Sequence, residues 1–321
     1  APPKGDGEAV AAGKALAGCK RLGVLASAEY ARGAAWRQVG LFAGQLAGAR
    51  GGGVAVQTHG ANALGALRLA EMCQAVSLAE ALSDPDALLV AVGCDLLGML
   101  GLPAESGSLP AGQLHAAAAA MPNRTTDAVK VVLPLAMPGE MPGTYVSSAG
   151  APGQTAVLMS APAGVPQAAE LVALLATAAG ISSPEIPPLP ESLPRRTAET
   201  PRPSPAAASD VRGALVLARQ ASDAGCGTLT GHASWQSAMS VLPELRVSKQ
   251  EAGRRNLRNL ETVTVCANGR SCRARVRVAE EMTDGVVALP EGCPEARALL
   301  PCAIDERGVL SAAPGIVEVT R

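Results

Sequence analysis

The chain has 321 residues, 48% of them apolar but only 2% aromatic, and its 27 basic and 28 acidic side chains leave a net charge of −1. That length supports two domains, or one large domain with an appendage. Balanced charge excludes a global field that favours nucleic acid or an anionic membrane. The scarcity of rings leaves a core of Ala, Val and Leu, which suits closely packed helix-on-sheet layers.

In chain order, GEAVAAGKALAGC (7–19) has helical spacing and RLGVLAS (21–27) is a short β-rich run. WRQVGLFAGQLAG (36–48) is helical, with Val39, Leu41, Phe42 and Leu46 near one face. ANALGALRLAEMC (61–73) and SLAEALS (77–83) read as helices, ALLVAVG (87–93) and VKVVLPLA (129–136) as apolar strands, and PQAAELVALLATAAG (166–180) as a closing helix. Continuous apolar strands separated by helices predict an α/β fold whose parallel sheet is covered by helices on both faces.

Residues 181–210 hold eight prolines, so they cannot form a packed element and read as an extended linker or strap. The last third changes period. ETVTVCANGRSCRARVRV (261–278) is a hairpin signal, with Asn268-Gly269 as the tight turn. Cys272, Ala274, Val276 and Val278 alternate with Arg273, Arg275 and Arg277, giving one apolar and one charged face. DGVVALP (284–290) and GIVEVTR (315–321) add strands, and the region from about 243 to 321 reads as a small C-terminal β-barrel. The expected organisation is an α/β domain over 1–182, a Pro-rich linker over 183–211, and a C-terminal segment over 212–321 ending in that barrel.

The run 87–104 carries Asp95 and two glycines and is too short and polar for a spanning helix, while 170–181 is about two-thirds of the length needed. Direct membrane insertion is therefore not expected, and any membrane link goes through a partner. Ala1 in place of Met implies an upstream segment, either a targeting peptide or a longer parent chain.

Familiar chemical signatures are weak. GGGVAVQTHGANALGAL (51–67) precedes a helix but lacks the Lys-Ser/Thr of a P-loop, so it reads as a tight strand–helix connection. His59, His115 and His232 lie far apart, and no Gly-x-Ser-x-Gly elbow supports a hydrolase triad. Eight cysteines occur without any Cys-x-x-Cys, which argues for small thiols in a reducing compartment over a metal or cluster site. Residues 244–278 hold nine Lys/Arg against three acids but no aromatic residue, so a solvated face or a patch docking onto an acidic partner is favoured over RNA binding.

Together these stretches resemble the C-terminal part of the molybdopterin oxidoreductase superfamily, above all the large iron–sulfur subunit of NADH:quinone oxidoreductase, respiratory complex I. Asn62-Ala-Leu-Gly65-Ala66 matches the family's Asn-x-x-Gly-Ala helix, and VAVGCD (90–95) matches a strand ending in Gly-x-Asn/Asp. AVKVVLP (128–134), Glu140, Gly143-Thr144 and Gly150 follow the family's cofactor-wrapping segment. RVSKQEAGRRNL (246–257) and RVAEEMTDGVVALPEG (277–292) are similar to its terminal barrel. The match is ordered and covers about two-thirds of the chain. It departs where the family's Asn, Glu and Arg after Gly-Thr stand as Ser147, Ala149 and Ala151, with the Gln displaced to Gln154. Asp127 falls one position ahead of Ala128, and Asn256-Leu257-Arg258-Asn259-Leu260 replaces a glycine pair of the barrel.

The resemblance implies a vestigial loop, marked by Asn62, Gly65, Asp95, Glu140, Gly143, Thr144 and Gly150, with no catalytic residue, metal ligand or cofactor in this chain. The family's cluster ligands and its molybdenum-holding residue lie in N-terminal regions outside this sequence. It further implies partners among the peripheral-arm subunits of complex I, especially the cluster-bearing chains, and a place peripheral to an energy-transducing membrane. That place would be the matrix side of the mitochondrial inner membrane or the bacterial cytoplasmic side. Two alternatives stand beside it: a fragment of an active molybdenum or tungsten oxidoreductase, such as formate or formylmethanofuran dehydrogenase, and a module binding phosphate or RNA through the Arg-rich hairpin.

Overall fold

The computed structural model describes residues 7–27, 34–57, 62–84, 86–100, 114–147, 150–182, 215–220, 232, 242–267, 269–290, 293–299, 302–304, 310–312 and 315–320. The strap expected at 183–211, together with His59, Ala149, Cys226 and Asn268, lies outside the described residues. The chain divides into two compact units within the span that the sequence suggests as one α/β domain: the first takes Ala1–Ala75 and Pro142–Ala156, the second Val76–Met141 and the chain from Val157 to Pro184 and from Ser209 onward.

The first unit opens with α1 (Gly7–Ala17), β1 (Gly23–Ser27), α2 (Ala34–Gly48), β2 (Gly53–Gln57) and α3 (Ala63–Met72). Strands β1 and β2 pair in parallel from Gly23 opposite Gly53 to Ser27 opposite Gln57. Small side chains make this close packing possible, and Ala26, Ala43 and Ala47 are buried in it. Before β2, a Cβ on Gly52 would overlap the Leu22 backbone, so glycine is what lets the two segments approach.

The second unit starts with α4 (Leu78–Ser83), β3 (Leu89–Val92), α5 (Leu96–Leu100), β4 (Leu114–Ala119), α6 (Arg124–Ala128) and β5 (Val131–Pro134). Ser77 and Glu80 form a reciprocal capping box at α4, and the Ser77 backbone N–H holds the Glu80 carboxyl below its ordinary range. Strands β3, β4 and β5 form a parallel three-stranded sheet. The strand over LHAAAA has no counterpart among the sequence expectations. Its alanines favour helix by propensity, and pairing on both sides overrides that preference.

The single doubly covered sheet expected from the sequence is thus two separate parallel sheets. Neither does β5 behave as a buried strand: Val131 and Val132 are about half exposed, because β5 is a sheet edge and Leu133 alone turns toward the Ala118–Leu171 cluster. After β5 the chain makes a hairpin of β6 (Gly143–Val146) and β7 (Pro152–Thr155), which belongs to the first unit, and then helix α7 (Ala168–Ala178) of the second.

The remaining elements are β8 (Leu215–Gln220), β9 (Glu244–Val247), α8 (Lys249–Arg254), β10 (Thr262–Ala267), β11 (Arg270–Val278), β12 (Val286–Pro290), α9 (Pro294–Leu299), β13 (Cys302–Ile304), β14 (Leu310–Ala312) and β15 (Gly315–Thr320). Six strands close a barrel in the order β10-β11-β9-β12-β8-β15, so its first strand sits at 215–220, upstream of the 243 boundary. The β10–β11 hairpin pairs Val265 with Cys272 and Ala267 with Arg270, as the alternation requires, and Gly269 takes φ +73° at its turn. Leu215, Leu245, Val247, Val263, Val265, Val276, Val287 and Leu289 fill the interior. Burying each such Leu or Val contributes about 1.5–3 kcal/mol.

Among the described residues no helix is long and apolar enough to cross a membrane.

Candidate functional site

In the first unit the residues of interest gather at the start of α3. Asn62 has left-handed backbone, φ 61°, a region that Asn tolerates better than most residues. That twist leaves its side chain without a cap bond to α3. Instead its Nδ2 donates to the Thr144 carbonyl at 2.9 Å, and its Oδ1 accepts from the Val146 N–H at 2.8 Å. One side chain thereby completes both backbone groups along one edge of β6. Gly65 lies directly beneath, where any Cβ would overlap the Asn62 amide. Gly143 packs against the Tyr145 ring, and Gly150, at φ +86°, closes the β6–β7 turn by donating its N–H to the Ser147 carbonyl at 2.8 Å.

In the second unit Asp95 follows β3 and precedes α5, after a turn through Gly93 at φ +66°. Its Oδ1 accepts from the Gly98 N–H at 3.0 Å, which caps α5, and from the Thr125 N–H at 3.2 Å and Thr125 Oγ1 at 2.8 Å. The fully buried Thr125 hydroxyl in turn accepts from the Leu97 N–H at 3.0 Å. As at Gly65, a Cβ on Gly98 would overlap the carboxylate above it. Asn123 caps α6 by accepting from the Thr125 and Thr126 N–H groups, both at 3.0 Å.

A cleft of about 410 Å³ opens beside these residues, lined by Gly93, Cys94, Asp95, Met99, Ala119, Ala120, Met121, Asn123, Leu135, Ala136, Pro138 and Met141. It lies at the C-terminal ends of β3, β4 and β5, where open parallel sheets place their ligands. Its polar side chains face their own backbone: Asp95 and Asn123 are hydrogen-bonded as above. What remains toward the space is thioether and methyl surface with the Cys94 thiol, which burial, and then the Asp95 carboxylate, push above its ordinary pKa. The walls offer shape and soft apolar contact rather than a proton donor–acceptor pair.

Glu140, the lone acid of the loop, accepts from the Met137 N–H at 2.8 Å and closes the short 3-10 turn Pro138–Glu140. Of the residues expected from the resemblance, Asn62, Gly65, Gly143, Thr144 and Gly150 belong to the first unit, and Asp95 and Glu140 to the second. Sequence reasoning missed Gly98 and Thr125. The signal was present, since Asp95-x-x-Gly98 repeats the spacing of Asn62-x-x-Gly65.

The barrel has a polar clamp of its own. Glu251, 4% exposed, receives Arg254 at 2.7 Å and Arg255 at 3.2 Å, while Ser248 accepts from the Glu251 N–H and donates to Asp284. His232 is exposed, with a ring nitrogen 2.9 Å from the Pro122 carbonyl, and no group of three or more His, Cys, Asp or Glu among the described residues could hold a metal ion.

These features define a mixed α/β protein with parallel sheets and a closed six-stranded barrel. No protein-family model and no curated protein matches the chain. Among solved structures, acetylene hydratase from Pelobacter acetylenicus is similar with a TM-score of 0.54 at 13% identity, over 76% of this chain and 45% of that one. The chain therefore spans less than half the length of that enzyme, and what the likeness defines at such identity is the fold.

Proposed function

We propose that this chain is a non-catalytic structural subunit, or the separated C-terminal portion of one, in the peripheral arm of a respiratory complex I-like assembly. It holds cluster-bearing neighbours in place while NADH-to-quinone electron transfer runs through them. The sequence resemblance is what supports this reading, and the fold shared with a much longer enzyme does not bear on complex I.

One observation carries the reading. Asn62, Asp95 and Glu140, three of the polar side chains that the vestigial loop retains, are each engaged by backbone or side-chain groups of their own unit. The family's next polar positions are Ser147, Ala149 and Ala151. A pterin group needs polar contacts from the protein that positions it, and these residues fit it poorly. What they do is complete hydrogen bonds within their own units.

The test is a native gel of mildly solubilised membranes stained for NADH oxidation, with the chain located by mass spectrometry. Comigration with a large NADH-oxidising band is expected, and migration as a small free species would overturn the reading. The competing possibility, a fragment of an active molybdenum or tungsten oxidoreductase, is favoured by the cleft at the strand ends. It predicts stoichiometric molybdenum or tungsten, and fluorescent oxidised pterin on acid release.

A further inference from the structure

The outer face of β11 carries Arg273, Arg275 and Arg277 at alternate positions, with Cys272, Ala274 and Val276 buried behind them. Arg273 and Arg277 are exposed and Arg275 is half-buried. Among the described residues none of the three guanidinium groups has a hydrogen-bond or ion-pair partner. Arg270, at the start of the same strand, differs by donating to the Ala298 carbonyl.

The strand register adds a fourth arginine. Arg277 lies opposite Arg246 of β9, and Arg275 opposite Glu244. Like charges placed side by side on neighbouring strands repel, and among the described residues Arg246 is relieved by a 3.4 Å contact to the exposed Glu281. A folding argument accounts for Arg275, which has Glu244 opposite it, but not for Arg277, which stands opposite another arginine.

The closed barrel decides how a partner must read this face. β11 is hydrogen-bonded to β10 on one side and β9 on the other, so it has no free backbone edge for an added strand. Recognition must come from the side chains. All three are Arg, whose planar fork suits bidentate pairing with an oxyanion. Alternate residues of a strand stand about 6.8 Å apart, a spacing that acidic residues at alternate positions of another extended segment reproduce.

An acidic peptide fits better than a nucleic acid. No aromatic residue occurs anywhere from 242 to 321 to stack a base.

We propose that the Arg273–Arg275–Arg277 stripe, extended by Arg246, is a docking face for an extended acidic segment of a partner protein, with carboxylates at alternate positions. The inference deepens the scaffold reading by naming the chemistry of one partner, and it rests on that reading for its biological setting.

The full chain is titrated with two labelled peptides of identical composition, one alternating Glu and Thr and one carrying all its Glu in a single block, and with a uridine oligonucleotide of equal charge. The alternating peptide should bind at least about fivefold tighter than either, with affinity falling as salt rises. The R273Q/R275Q/R277Q variant should remove that preference. A control that removes three cations elsewhere, K14Q/K20Q/R50Q, should retain it. Far-UV circular dichroism checks that the outward substitutions leave the barrel folded. Equal affinities for the two peptides, tighter binding of the oligonucleotide, or a preference that survives the triple variant would each overturn the proposal. None of these bears on comigration with an NADH-oxidising band, so the docking inference and the scaffold reading fail separately.

Discussion

The Asn62 corner of the first unit and the Asp95 corner of the second have one sequence pattern, Asx-x-x-Gly, and one steric footprint, a polar side chain lying over a glycine. Their chemistry differs. Asp95 keeps an N-cap role, and its carboxylate gathers three donors to join α5 to α6. Asn62, turned by its left-handed backbone, faces β6 and needs both halves of an amide, one to donate and one to accept. A strand edge presents alternating N–H and C=O groups, which one amide can complete and a carboxylate cannot. Adjoining helix starts present N–H groups alone, which a carboxylate satisfies best.

Breaking the comparison gives the largest effect. Asp95→Ala leaves the buried Thr125 hydroxyl and the Gly98 N–H without their acceptor, while the Thr125 N–H keeps Asn123, and should cost about 3 kcal/mol in urea unfolding. The Leu97 amide, bonded to that hydroxyl, should lose protection in hydrogen exchange. A change below about 1 kcal/mol would show that Asp95 does not organise this unit.

Exchanging the acid and the amide sharpens it. Asn62→Asp sets a carboxylate against the Thr144 carbonyl and should cost about 2 kcal/mol, with faster exchange at the Val146 amide. Asp95→Asn keeps an acceptor oxygen and should cost about 1 kcal/mol, the loss of charge assistance. Equal costs would mean that the two corners do not discriminate donor from acceptor.

The glycines test the footprint. Gly65→Ala and Gly98→Ala should each lose about 1–2 kcal/mol, because the new methyl displaces the side chain above. In an Asn62→Ala background the Gly65→Ala cost should nearly vanish, and that coupling is read by a double-mutant cycle. Additive costs would place the clash elsewhere.

The smallest effect is kinetic. With its pKa raised by burial and by Asp95, Cys94 has less thiolate at mildly alkaline pH than an ordinary cysteine, and should alkylate several-fold more slowly than the exposed Cys73. Asp95→Asn removes the smaller cause and should narrow the gap modestly, as followed by mass spectrometry of iodoacetamide adducts.

Sequence alone determined the elements whose pattern is local. The helices near 7–17, 34–48 and 168–178 follow from spacing, and the β10–β11 hairpin from strict alternation around its turn, because side-chain direction repeats every 3.6 or 2 residues whatever the surroundings. It also marked Asn62, Gly65, Asp95 and Glu140 as special. Tertiary structure decided what those residues do and which strands share a sheet. The run LHAAAA became a strand only through neighbours on both sides, and β8 joined the barrel from upstream of the expected boundary. The parallel strands fell into two sheets. Pairing of distant segments is a long-range event, and an alanine-rich apolar run has nothing in its own residues to say which partner it will meet. Asn62 and Asp95 look alike in sequence for the same reason: a hydrogen-bonding side chain takes its role from the donors and acceptors that folding brings within about 3 Å.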